Sequence, residues 1–190
     1  MDIINLYFRI REKKDFLESK GIEVYDTSLK GNQNLDLPAL DSRILKPLQD
    51  KNTIVVIDAG GDPKGSLVLR RFKNYIVNSE NYFVVNANRT ETNEAQKVID
   101  YIDDIESYSN LRVTKLLNTT HMLKSTTKED VIKGYKLCKQ VEEIRNLELK
   151  YNVCIENVYK QLKEDKDESL SELKEKLFPI KLYFRDQWML

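Results

Sequence analysis

"TIVVIDAGGDPKGS", residues 53–66, carries the reading on which the fold depends. The nearly continuous apolar run 53–58 has the composition of a strand covered on both faces. It ends on Asp58, and two glycines follow. Acids and glycines in that position mark the carboxyl rim of an open parallel sheet, where such sheets bind ligands. Glycine lets the backbone turn sharply and approach a phosphate with no Cβ in the way. Asp62 is placed to cap a helix whose first position is Pro63, where a missing N–H costs nothing. Val68, Phe72, Tyr75 and Ile76 continue that helix at the spacing of one buried face. Strand, turn and helix are therefore written in succession.

The same alternation extends in both directions. "IEVY" (22–25), "YFVVNA" (82–87) and "RVTKLL" (112–117) read as further strands, with "NVCIE" (152–156) and "IKLYF" (180–184) as weaker ones. Between them, Ala95, Val98, Ile99, Ile102 and Ile105 share a helical face. Thr126 and Glu129 have the spacing of a capping box ahead of Val131, Tyr135 and Cys138, and Gly21 suits the end of the first helix. Residues 157–190 form a charged, helical C-terminal portion, with "NVYKQLKEDKDESLSELKEKL" (157–177) as one or two exposed helices and Trp188 as an anchor onto the sheet. Strands alternating with helices predict an α/β fold, a parallel sheet in three layers with helices on both faces, in one domain spanning 1–190.

Composition narrows the function classes. Of 190 residues, 41% are hydrophobic and 33% charged, which excludes a wholly disordered chain. The 31 basic and 31 acidic side chains cancel, so no overall positive field recruits nucleic acid or an anionic membrane. No apolar run approaches the roughly 20 residues of a membrane span, and the first residues lack a signal-peptide core. The two cysteines, Cys138 and Cys154, have no metal spacing and read as buried thiols of a cytoplasmic protein. His121, the one histidine, has no Cys/His cluster beside it and reads as a loop hydrogen-bonder. Arg70, Arg71 and Lys73 read as a solvated helix face.

Two nucleotide readings fit "IDAGGDPKG". In one it is the first loop of an S-adenosylmethionine-dependent methyltransferase. That reading expects an acid ending the next strand, where "VVNANRT" has none. In the other, Asp58 is the strand-end acid of a P-loop nucleotide hydrolase that orders magnesium, and Gly61 is the glycine whose N–H meets the γ-phosphate.

Five stretches carry a resemblance: "DIINLYFRIREKK" (2–14), "LDLPAL" (35–40), "VVIDAGGDPKGSLVLRRF" (55–72), "VVNANRTET" (84–92) and "LLNTTHMLKSTTKEDVIKG" (116–134). In this order they resemble the MinD/ParA-like ATPases of low-GC Gram-positive bacteria, a group with deviant P-loops. The resemblance implies a P-loop NTPase-like fold that uses ATP and Mg2+. It implies that Asp2 matches the second acid of the D-x-D near the attacking water, in a segment shared with Asn5 and Arg9. Asp58 matches the Walker B-type metal acid, and Gly60 and Gly61 match switch II. Asn118 matches the position that reads the adenine edge, although Thr119 stands where a second asparagine is expected.

The family's G-x-x-x-x-G-K-[ST] phosphate loop is not in this sequence. Among the six glycines only Gly60 and Gly65 stand five apart, and Ser66 and Leu67 follow them. Only Met1 precedes Asp2, so the first strand and P-loop are expected to be missing, from a truncated frame, a misassigned start or a decayed paralogue. Loop amides and the lysine supply most of the phosphate binding. The chain alone is thus expected to hold no ATP tightly and to need a partner, or a second copy as a homodimer, to supply the absent strand. The remaining alternative is a non-enzymatic interaction module on the same scaffold.

Overall fold

The computed structural model describes residues 13–25 and 44–183. These fall into two compact units divided between Asn78 and Ser79.

The described residues of the first unit form short helices: α1 (Lys14–Glu18), α2 (Leu45–Gln49), α3 (Pro63–Ser66), a 3-10 turn (Leu67–Phe72) and α4 (Lys73–Ile76). Gly21, at φ 78°, takes the left-handed conformation after α1 that a glycine adopts without a Cβ penalty. The Asp62 cap forms as the sequence predicts: its carboxylate accepts from the Gly65 N–H at 2.8 Å. Phe72 and Ile76 are buried, while Tyr75 is exposed. Neither "IEVY" nor "TIVVID" is a strand here; both are irregular backbone outside any ladder. A strand needs a neighbour for its N–H and C=O groups, and apolar composition alone supplies none.

The second unit is a four-stranded, all-parallel sheet in the order β1-β2-β3-β4: β1 (Tyr82–Val85), β2 (Lys115–Asn118), β3 (Glu148–Ile155) and β4 (Leu177–Ile180). The helices between them are α5 (Ala95–Ser109), α6 (Lys128–Arg145), α7 (Glu156–Glu164) and α8 (Ser171–Glu175). Tyr82 pairs with Lys115 and Val85 with Asn118; a register shift follows Leu116, after which Leu117 meets Tyr151 and Asn118 meets Asn152. On the far side, Asn152 pairs with Leu177 and Ile155 with Ile180. Helices α5 and α6 end on Asn110 and Asn146, both left-handed, at φ 57° and 53°. Asparagine is the usual substitute for glycine at such caps. The capping box of α6 lies one residue later than expected, with Thr127 and Asp130 as its partners.

One face of the sheet holds the core. Phe83, Val85, Leu116 and Leu149 pack with Val98, Ile99 and Ile102 of α5 and with Leu137, Cys138 and Val141 of α6. Cys154 and Leu177 continue it against Val131 of α6, Val158 and Leu162 of α7, and Leu173 of α8. The charged C-terminal helices thus still bury an apolar side. Burial pushes the Cys138 thiol up to about 12, helped by the Glu142 charge, and the Cys154 thiol up to about 11.

Residues of the opposite parity look the other way. Val84 is 55% exposed and Phe178 48%, and the Tyr151 ring lies beside Phe178, tilted by 47° with ring centres 5.4 Å apart. Among the described residues of this unit, the helices pack on one face, where the sequence predicts them on both. The strand order explains the difference. Parallel crossovers are right-handed, so a sheet that always steps in one direction puts every connecting helix on the same side.

Glu172 in α8 gathers three partners. Lys176 and Lys139 donate to it at 2.9 and 3.1 Å, and the Tyr135 hydroxyl at 3.1 Å. Hydrogen bonds from Lys176, then Lys139, hold its carboxyl at about 2, below the ordinary 4.5 of a glutamate. Its contribution is present above pH 4.5 and disappears as pH falls towards 2. The side chain is 41% exposed, so screening limits this to about 0.5 kcal/mol or less. Glu172→Gln is expected to flatten the acid limb of a melting-temperature profile slightly; an unchanged profile would dismiss the cluster as decoration.

Candidate functional site

Asp58 and its glycines lie in the first unit. Leading into them, Ile54 and Val56 are 94% and 88% exposed, a strand-like composition turned to solvent. Asp58 itself is exposed, Gly60 is buried and Gly61 is exposed. Gly61 keeps a φ outside the left-handed region, and a Cβ built on it would meet nothing within 4 Å. Packing among the described residues therefore does not demand glycine at this position. Gly65 differs: a Cβ there would come within 2.7 Å of Asp62 Oδ2, against the carboxylate that caps α3.

Asn118 lies in the second unit, at the carboxyl end of β2, and is fully buried. Its amide nitrogen donates to the Val131 carbonyl and to Asn152 Oδ1, each at 2.9 Å, and its Oδ1 accepts from the Thr120 N–H at 3.1 Å. The Thr120 hydroxyl accepts from the Ala87 N–H at 3.0 Å, and the Asn152 amide reaches the Leu173 carbonyl at 3.5 Å. These contacts tie β1, β2, β3, α6 and α8 together at one end of the sheet. The donor–acceptor pair that suits an adenine edge faces inward here.

Gly134 makes that knot possible. A Cβ on it would fall 2.0 Å from Thr120 Oγ1 and 2.1 Å from Asn118 Oδ1. Sequence reasoning about function passed over Gly134, Thr120 and Asn152. The available signal was an isolated glycine inside a long helical pattern, which usually has a packing reason.

Around this rim the polar groups are satisfied by one another. The Asn88 amide donates to Asp130 Oδ1 at 2.8 Å, and Lys133 donates to Asn88 Oδ1 at 3.0 Å. Desolvation works to raise the Asp130 carboxyl, but hydrogen bonds from the Thr127 backbone and from Asn88 outweigh it and hold the group below its ordinary range. His121 is a loop hydrogen-bonder, as its sequence context suggests: its Nδ1 accepts from the Leu123 N–H at 3.1 Å. That bond and the Thr126 side chain, which accepts from the Met122 N–H at 2.9 Å, hold Leu123 at φ 57°.

Of the predicted site residues, Asp58, Gly60 and Gly61 fall within four consecutive positions of the first unit and Asn118 belongs to the second. Asp2, Asn5 and Arg9 lie outside the described residues. The described strands keep one direction of succession, so they form none of the reversals at which open sheets make a ligand crevice. Among the described residues no group of three or more His, Cys, Asp or Glu side chains could hold a metal ion, and no helix is long and apolar enough to cross a membrane. Comparisons of the chain with protein-family models, curated proteins and solved structures return no match.

Proposed function

We propose that this chain is a cytoplasmic remnant or fragment of a MinD/ParA-like ATPase, whose Asp58–Gly61 turn is the magnesium and γ-phosphate side of a nucleotide site. The observation that carries the reading is the pairing of two features in one stretch. Among the described residues Ile54–Ile57 is apolar and outside any ladder, and four positions after Ile57 comes Gly61, where an added Cβ would meet nothing within 4 Å. A glycine with open space around its missing Cβ suits close approach by something from outside.

The residues present fit only part of that ligand set. Asp58 offers one carboxylate oxygen donor of the kind magnesium accepts, and magnesium bound to phosphates often takes one or two carboxylates from the protein. The sequence offers no phosphate loop, lysine or P-loop hydroxyl for the rest. No catalytic step follows from one acid and two glycines. The chain alone is proposed to bind Mg-ATP weakly and to hydrolyse it negligibly, with a partner or second copy providing the missing strand.

Calorimetry of the purified chain with Mg-ATP is expected to show a Kd weaker than about 1 mM, that is, less than ~4 kcal/mol of binding. Appending a strand, a G-x-x-x-x-G-K-[ST] loop and its helix in frame before Asp2 is expected to tighten binding at least tenfold. Asp58→Asn is then expected to abolish that gain. Tight binding by the unextended chain, or no gain on extension, would remove the proposal. The exposed apolar face carrying Val84, Tyr151 and Phe178 favours a second reading, an interaction module on the same scaffold.

A further inference from the structure

We infer that a second copy of this chain pairs with β1, antiparallel and centred on Val84. The inference stands on the second unit alone and holds whether or not the nucleotide reading does.

The two edges of the sheet are unlike. On β4, Pro179 removes one donor, and Lys176 and Lys181 flank the strand. Proline and lysine are the devices by which exposed edges resist pairing. On β1, Tyr82-Phe83-Val84-Val85 contains no charge, proline or glycine, and all four residues favour strands. Its inner side is occupied by β2, and its outer side has no partner strand among the described residues.

Register and charge argue for a second copy. Residues opposite one another in an antiparallel ladder share a face, so a two-fold pairing must match residues of the same parity. Centring on Val84 does so. It sets Val84 against the partner's Val84, and Phe83 against the partner's Val85. Phe83 and Val85 both lie on the helix-covered face, so the apolar faces of the two copies join into one sheet face. The nearest acid, Glu80, falls opposite the partner's Asn88 and is already held by Lys115. No like charges meet, and a net charge of zero adds no long-range repulsion. A ladder this short buries less than the ~1,000 Å2 of a stable interface, so a reversible dimer is expected at about tens of micromolar.

Sedimentation equilibrium of the full chain tests this. The wild type is expected to dimerise reversibly. Val84→Lys and Val84→Glu, each placing like charges on the two-fold axis, are each expected to weaken association at least tenfold, and an equimolar mixture to restore it. Val84 is 55% exposed and outside both core clusters, so the charged variants should stay folded, which far-UV melting checks. As a second probe, Val84→Cys is expected to give a disulfide-linked dimer under mild oxidation, because opposed residues of a ladder lie within disulfide reach. The native cysteines are buried and do not compete. A monomeric wild type up to about 200 µM overturns the inference, since affinity at tens of micromolar would populate the dimer there. So does wild-type association by the charged variants, or a mixture that stays monomeric. Cross-linking through Phe178→Cys but not Val84→Cys would move the contact elsewhere and also overturn it.

Discussion

Gly134→Ala is expected to destabilise the second unit by about 3 kcal/mol or more, and to lower its melting temperature by roughly 10–20 °C. The sign is the informative part. At an open position inside a helix, alanine is better than glycine by about 1 kcal/mol, so an uncrowded Gly134 would give a stabilised variant. Here the added methyl would stand 2.0 Å from Thr120 Oγ1 and 2.1 Å from Asn118 Oδ1. Both atoms are buried and hydrogen-bonded, so neither can give way without releasing a partner. Gly61→Ala is the matched control. Its Cβ meets nothing, and the change is expected to stay within about 0.5 kcal/mol. Thermal melts of the two variants beside the wild type decide the matter: equal melting temperatures would mean that α6 does not approach β2 as closely as described.

The next largest effect is expected from Asn118→Leu, a change of similar volume without the amide. It leaves the Thr120 N–H without its acceptor and Asn152 Oδ1 without its donor, both in a site sealed from water. Each buried group stranded in this way costs about 1–3 kcal/mol, so a total loss of about 3 kcal/mol is expected in urea titration. Replacing Asn152 as well should cost less than the sum of the single changes, because the two amides share one bond. A cycle that sums without coupling would show that the pair does not interact. The experiment also bears on nucleotide recognition: a loss of binding in Asn118→Leu counts as evidence of base reading only after the loss of fold has been subtracted.

The second unit was largely legible in the sequence. Val98, Ile99 and Ile102 declared the buried face of α5, and "YFVV" declared β1, because helical and strand periodicities differ. The ends were less legible. β4 lies at 177–180, ahead of the predicted 180–184, since "LFPI" contains a proline that demotes it as a strand until β3 supplies a neighbour. "TIVVID" has the composition of a strand covered on both faces and forms no strand, because composition reports an environment that another segment has to provide. The Asp62 cap was legible because it is local, reaching from Asp62 to Gly65. The knot around Asn118 was not, since it joins positions 13 and 34 residues apart that only the fold brings together.

The steady succession of strands also bears on how the second unit comes into being. Each strand docks beside the one made just before it, so no strand has to be inserted between two that have already paired. Assembly can keep pace with synthesis at the ribosome, where domains form as the chain emerges. β4, the last strand to emerge, then seals an array already built.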